Sequence, residues 1–88
     1  MQKSYLYFLH SLVIDQYYIG SAKDPHVRVV YHNKSCKGWT KRGRPWKLVY
    51  IKPFDSKREA QFWEKRIKKL KRRDIIEMII NNEFIWQK

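Results

Sequence analysis

The 88-residue sequence has little of several residue types, and each shortage excludes a class of protein. Cys36 is the only cysteine, so no disulfide can form within the chain, which fits a reducing compartment such as the cytoplasm. No apolar run reaches the roughly 18 residues that a membrane-spanning helix needs, and nothing before Tyr5 resembles a signal peptide. We therefore expect a cytoplasmic protein without a membrane span.

Acidic residues are also scarce. Eight Asp and Glu stand against 20 Lys and Arg, which gives a formal net charge of +12. Self-repulsion at this imbalance destabilises a compact chain, so a polyanionic partner is expected. Basic residues run through every segment after Gly20, which favours nucleic acid over a membrane surface. A basic surface that serves solubility alone is the alternative.

The residues that build a core are plentiful by comparison. The hydrophobic fraction is 43%, with 4 Trp, 6 Tyr and 4 Phe, which argues against disorder despite the high charge. A chain of this length makes one domain, so residues 1–88 are expected to form a single domain.

The pattern of apolar runs predicts the order strand, strand, helix, strand, helix, helix. Runs at 5–9 and 17–19 predict a β-hairpin, and 46–54 reads as a third strand. The tail at 84–86 is apolar and is expected to pack onto the core. The predicted fold class is α+β, a small three-stranded, mainly antiparallel sheet flanked by helices.

Start signals and apolar spacing define the three helices. Asp24 followed by Pro25 favours the first helix start. A capping box at Ser56 predicts the start of the second helix, and another at Asp74 predicts the start of the third. Helical spacing assigns these residues of the first two helices to the core: Val27, Val30, Tyr31, Ala60, Trp63, Ile67 and Leu70.

Several common catalytic sets are missing. The chain has no Gly-rich phosphate loop, no suggestion of a Ser-His-Asp set and no Cys/His cluster with metal spacing. His32 and Cys36 are four residues apart, as half of a zinc site would be, but the lack of a second cysteine argues against zinc binding.

What remains is an ordered set of phenols, an arginine, a histidine and a glutamate. Residues 5–7 read Tyr-Leu-Tyr in the first strand and residues 18–20 read Tyr-Ile-Gly in the second. Arg28 follows Tyr18 by ten residues, His32 comes four later, and Glu64 is in the long helix. This set resembles the GIY-YIG nuclease family over essentially the whole chain. The likeness is to short members similar to the nuclease domains of excision repair and homing endonucleases, although Tyr5 replaces the motif's Gly.

The resemblance implies a metal-dependent endonuclease that hydrolyses phosphodiester bonds, with DNA as the expected substrate and repair or recombination as the setting. Tyr7 and Tyr18 match phenols that position and deprotonate the attacking water. Arg28 matches the arginine that contacts the scissile phosphate. Glu64 matches the carboxylate that holds a single Mg²⁺ or Mn²⁺ ion, and His32 matches a residue that assists proton transfer.

These residue types suit the chemistry on independent grounds. A guanidinium presents a rigid donor fork to phosphate. A divalent ion on one carboxylate supplies Lewis acidity and can lower the pKa of bound water. A tyrosine with an ordinary pKa near 10 is a poor base, so Arg28 and the metal are expected to lower it.

Further basic and aromatic residues are expected to bind nucleic acid: Lys23, Trp39, Lys41, Arg42, Arg44 and Lys68. Trp46 is either part of this surface or part of the core. The alternative for Glu64 is a structural role, as the i,i+4 ion-pair partner of Lys68 on the helix surface. For the whole chain, the alternative is a non-catalytic nucleic-acid-binding module on the same fold. With no appended reader, little sequence specificity is expected, which leaves targeting to a partner.

Overall fold

The computed structural model describes residues 3–34 and 42–86. Its elements follow the predicted order: strands β1 (Ser4–Ser11) and β2 (Gln16–Ala22), helix α1 (Pro25–Lys34), strand β3 (Trp46–Phe54), and helices α2 (Lys57–Leu70) and α3 (Arg73–Ile80). The predicted α+β class, an antiparallel three-stranded sheet with flanking helices, is confirmed.

The sheet has the order β2-β1-β3, with β1 in the centre. The hairpin pairs Tyr7 with Gly20 and Leu9 with Tyr18. Pairing of β1 with β3 shifts register between Phe8 and Leu9. In this order β2 is an outer strand, so side chains from both sides of the sheet can meet along its free edge.

The two faces of the sheet pack against different helices, because successive side chains of a strand point to opposite faces. Leu6 and Phe8 of β1 belong to an apolar cluster with Ile19 and Phe54 and with four helix residues: Ala60, Trp63, Ile67 and Ile79. Tyr7 and Leu9 point the other way and cluster with Trp46. The first face is the apolar core, and the second includes a buried phenol.

Two of the three predicted helix starts are confirmed. Asp24 Oδ1 accepts a hydrogen bond from the backbone N–H of His26 at 3.0 Å. Ser56 Oγ accepts one from the N–H of Glu59 at 3.1 Å. Both side chains satisfy amide groups that the first turn of a helix leaves unpaired.

The predicted capping box at Asp74 is wrong. Helix α3 begins at Arg73, after an N-cap residue, Arg72, whose side chain makes no capping hydrogen bond. Asp74 lies inside the first turn, where its Oδ2 accepts from the Arg72 guanidinium at 2.6 Å. The carboxylate is therefore engaged by an arginine and does not cap the helix.

The predicted core face of α1 is also wrong. Val27, Val30 and Tyr31 are each more than half exposed. The residues buried in α1 are Pro25 and His32. The helix covers the sheet face that carries Tyr7, and a buried hydroxyl needs a polar partner, so an imidazole takes a position that an apolar stripe would otherwise occupy.

The apolar stripe of α2 is confirmed at Ala60, Trp63 and Ile67, which are buried. Leu70 is an exception and is nearly half exposed, because it is the last residue of the helix. In the tail, Phe84 and Trp86 pack against the core as predicted, and Trp86 lies edge-on to Trp63 with ring centres 5.1 Å apart, whereas Ile85 is exposed. None of the helices in the described ranges is long and apolar enough to cross a bilayer.

Candidate active site at the edge of the sheet

Three rings of the predicted site lie together between the sheet and α1. Tyr7 Oη is 3.2 Å from His32 Nε2, in a buried hydrogen bond. The ring of Tyr18 is centred 4.5 Å from that of His32 and 6.3 Å from that of Tyr7. The hairpin supplies both phenols, and the last full turn of α1 supplies the imidazole.

Arg28 lies one turn before His32 on the same helix and is exposed. Its guanidinium interacts with the Tyr7 hydroxyl, which raises the pKa of Arg28 further above its usual value. The same group lies 5.4 Å from the centre of the Tyr31 ring. The positive charge is thus held beside the phenols and faces solvent.

Glu64 reaches the cluster from α2, on the opposite side of the sheet. The Ser21 hydroxyl of β2 donates to Glu64 Oε1 at 2.6 Å, and Lys68 Nζ donates to Oε2 at 2.7 Å. Lys68 Nζ is also 5.6 Å from the centre of the Tyr18 ring. The two sides of the sheet therefore meet at the free edge of β2, where all five predicted site residues converge.

Gly20 provides the space that this arrangement needs. It pairs with Tyr7 across the hairpin, and a Cβ atom built on it would lie 2.6 Å from Tyr7 Oη and 2.7 Å from Cζ. Only a residue without a side chain lets the phenol lie across β2 towards the edge.

Burial and Arg28 set the protonation of the Tyr7–His32 pair. Burial raises the pKa of Tyr7 above its usual value of 10.0, and the nearby Arg28 opposes that rise without cancelling it. Burial, and secondarily the charge of Arg28, lowers the pKa of His32 from 6.5. Both groups are neutral at neutral pH, and the direction of their hydrogen bond depends on which ring nitrogen of His32 carries the proton. Arg28 therefore acts on the pKa of Tyr7 in the expected direction, but desolvation outweighs it and the net shift is upward.

A side-chain amide fixes the end of α1 that carries His32. Asn33 Nδ2 donates to the Trp46 carbonyl at 3.0 Å, while the Trp46 N–H donates to Asn33 Oδ1. Trp46 itself is buried, so it belongs to the core and not to a base-stacking surface.

Sequence reasoning missed Ser21 and Asn33. Each is next to a residue that was singled out, since Ser21 follows Gly20 and Asn33 follows His32. That adjacency was the available signal. Their partners, Glu64 and Trp46, are 43 and 13 residues away and could not be read from local pattern.

The residues predicted to bind nucleic acid have different positions. Lys23 and Arg42 are exposed, and Arg44 donates to the Asn33 carbonyl at 3.4 Å. Lys68 is bound to Glu64 as described above. Trp39, Lys41 and Cys36 lie outside the described residues.

A cleft of about 560 Å³ adjoins the site. Its lining includes four basic residues, one acidic residue and a serine: Lys3, Lys23, Arg28, Lys57, Asp24 and Ser21. Ser21 and Arg28 connect the cleft to the cluster at the β2 edge. Four cations around one concave surface can bind a chain of phosphates.

Glu64 offers a metal ion few protein ligands. Within residues 3–34 and 42–86, no group of three or more His, Cys, Asp or Glu side chains could enclose an ion. Glu64 offers one carboxylate, about 20% exposed, beside the Ser21 hydroxyl. Mg²⁺ commonly uses only one or two carboxylates and completes its shell with water and phosphate oxygens, so this set fits a hydrated, hard divalent ion.

The arrangement defines a class of α+β domain. Two strands that each carry a tyrosine pair at a glycine, and an arginine, a histidine and a glutamate lie at the strand edge. Residues 3–80 match the GIY-YIG catalytic domain, and the chain belongs to that family. The resemblance found in the sequence is thereby confirmed.

The chain is also similar to UPF0213 proteins of bacteria. It is 43% identical over 63 residues to one from Clostridium perfringens, covering 70% of this chain and 68% of the relative. It is 36% identical over 80 residues to one from Staphylococcus saprophyticus, and the match covers 90% of this chain and 96% of the relative. A third, from Streptococcus pneumoniae, is 37% identical over 83 residues, and the match covers 92% of this chain and 82% of the relative. No solved structure matches the chain.

Proposed function

We propose that this chain is a metal-dependent endonuclease that hydrolyses phosphodiester bonds in DNA. The observation that carries the proposal is the convergence of Tyr7, Tyr18, Arg28, His32 and Glu64 at one strand edge beside a basic cleft. A module that only binds nucleic acid has no need of a buried phenol–imidazole pair or of a carboxylate inside a cationic surface.

Substrate binding is assigned to the cleft. Lys3, Lys23 and Lys57 would contact successive phosphates and fix the position of the backbone without reading sequence. Arg28, between the cleft and the phenols, would bind the scissile phosphate and stabilise the charge that develops on its oxygens.

Proton transfer is assigned to the hydrogen-bonded pair. As the water oxygen bonds to phosphorus and the P–O bond to one sugar breaks, the water's proton would pass to Tyr7 Oη and the Tyr7 proton to Nε2 of His32, whose other proton is on Nδ1, so that an imidazolium forms. The departing sugar oxygen would take a proton from solvent. The lowered pKa of His32 keeps the ring unprotonated and able to accept at neutral pH. Tyr18, half-buried at the same edge, would orient the water.

Glu64 would hold the divalent ion, with Ser21 fixing one carboxylate oxygen. The ion, when bound, would supply Lewis acidity at the phosphate.

The test is cleavage of labelled duplex, single-stranded and branched DNA with Mg²⁺, with Mn²⁺ and with EDTA. We expect metal-dependent products from the wild type, and a loss of about 10²- to 10³-fold in Arg28→Ala and Glu64→Ala, the range for removing one positioned catalytic group. Arg58→Ala and Glu83→Ala are matched controls, since both residues are exposed and neither lines the basic cleft, and they should cleave normally.

The alternative function is a binding module on the same fold. The basic cleft favours it, since that surface would bind DNA whether or not cleavage follows. Salt-sensitive binding with no metal-dependent product from any of the three DNA forms would replace the nuclease assignment with this one.

A further inference from the structure

The carboxylate assigned to the metal is already neutralised by a cation of the protein. Lys68 Nζ lies 2.7 Å from Glu64 Oε2, while Ser21 holds Oε1 at 2.6 Å. An ammonium bound directly to the carboxylate occupies part of the space that a divalent ion needs. It also opposes the ion electrostatically, because two cations at one carboxylate repel each other strongly.

This contact differs from an ordinary surface ion pair. The Glu64 side chain is about 20% exposed and that of Lys68 about 47%, so the pair is partly shielded from solvent. The ammonium also lies over the Tyr18 ring, 5.6 Å from its centre. Lys68 is therefore inside the cluster, between the carboxylate and a phenol.

We propose that Lys68 is a placeholder cation, which orders Glu64 before metal binds and is displaced to a DNA phosphate when the ion arrives. The inference rests on the proposed function, since it takes Glu64 as the metal ligand. Lysine suits this exchange because its charge is compact and its four-carbon stem is flexible. Metal and DNA would then bind cooperatively. The ion displaces Lys68 from Glu64 and so frees the ammonium for a phosphate, and a phosphate that binds Lys68 leaves Glu64 open to the ion.

The first experiment measures Mn²⁺ binding alone, by electron paramagnetic resonance of the free ion. The variants are Lys68→Met, Lys69→Met and Glu64→Gln, with folding checked by circular dichroism. Lys69 is a matched control because it lies beside Leu70 and Phe84, away from the cluster, and its replacement removes the same charge. We expect Lys68→Met to tighten Mn²⁺ binding by at least about fivefold relative to Lys69→Met, the lower range of coupling between sites. Glu64→Gln should lose the bound ion.

The outcomes separate this inference from the proposed function. Equal affinities in Lys68→Met and Lys69→Met, with binding still lost in Glu64→Gln, would overturn the role of Lys68 and leave the metal site intact. Weaker binding in Lys68→Met would also overturn it, because the lysine would then only support the carboxylate. Mn²⁺ binding that is unchanged in Glu64→Gln would overturn both the assignment of the metal site to Glu64 and this inference.

The second experiment measures the affinity for a labelled duplex with and without Ca²⁺, by fluorescence anisotropy. Ca²⁺ should strengthen binding more in the wild type and in Lys69→Met than in Lys68→Met, which has no ammonium to transfer to phosphate. The same gain in all three proteins would refute the transfer of Lys68 to DNA.

Discussion

The two faces of the sheet differ in what they bury. The face covered by α2 buries aliphatic and aromatic side chains, among them Leu6, Phe8 and Trp63. The face covered by α1 buries a smaller apolar set, Leu9 and Trp46, together with Tyr7 and His32, which hydrogen-bond to each other. Apolar burial drives folding, whereas a buried polar pair contributes little net stability and constrains geometry. We infer that the α2 face supplies most of the stability and the α1 face holds most of the chemistry.

The largest effect on stability is expected from Trp63→Ala on the α2 face. It should lower the free energy of unfolding by about 3–5 kcal/mol, because it leaves a cavity among Ala60, Ile67 and Trp86. Urea denaturation followed by circular dichroism measures this. Phe62→Ala, at a neighbouring residue that is partly exposed, should cost clearly less. Similar costs for the two variants would contradict the assignment of the main core to this face.

An intermediate effect is expected from Gly20→Ala at the α1 face. The new methyl group would meet Tyr7 Oη and Cζ, so the phenol must move, at a cost of about 1–3 kcal/mol. Cleavage should fall at least about tenfold, since displaced catalytic groups lose their alignment. The stability cost should shrink in a Tyr7→Leu background, which removes the atoms that clash. An equal cost in both backgrounds would show that the contact with Tyr7 is not its cause.

The smallest effect on stability is expected from the titration of His32. Its pKa is lower in the folded chain than its usual 6.5, so the unfolded chain binds a proton more readily. Stability should therefore fall as pH drops through 6.5 and level off below the folded-state pKa. Thermal unfolding between pH 7.5 and 5 would show a steeper decline in the wild type than in His32→Gln. Parallel curves would mean that burial of His32 does not disfavour its protonated form.

Two of the three helix starts and the order of the elements along the chain could be predicted because their signals are local. Ser56 and Asp24 cap the turns that follow them, and the stripe Ala60, Trp63, Ile67 faces the core as its spacing requires. The face of α1 was predicted wrongly for a related reason. Spacing identifies an apolar stripe, but it cannot show that the sheet face beneath it carries a phenol that needs an imidazole.

The order of the site residues in the chain and their likeness to a family predict them, and the structure adds the contacts among them. Ser21 donates to Glu64 over a separation of 43 residues, and Asn33 holds Trp46 by two hydrogen bonds. Neither contact has a signature in its own segment. Each depends on where β2, α1 and α2 lie relative to one another.

The sequence by itself determined the net charge, the order of the elements, two helix caps and the apolar stripe of α2, because each depends on composition or on residues within a few positions of one another. Only the tertiary structure decided that β2 is an outer strand, that Trp46 is buried and that Glu64 meets the phenols at the strand edge. Those outcomes depend on sheet order and register, which are set by packing between residues far apart in the chain.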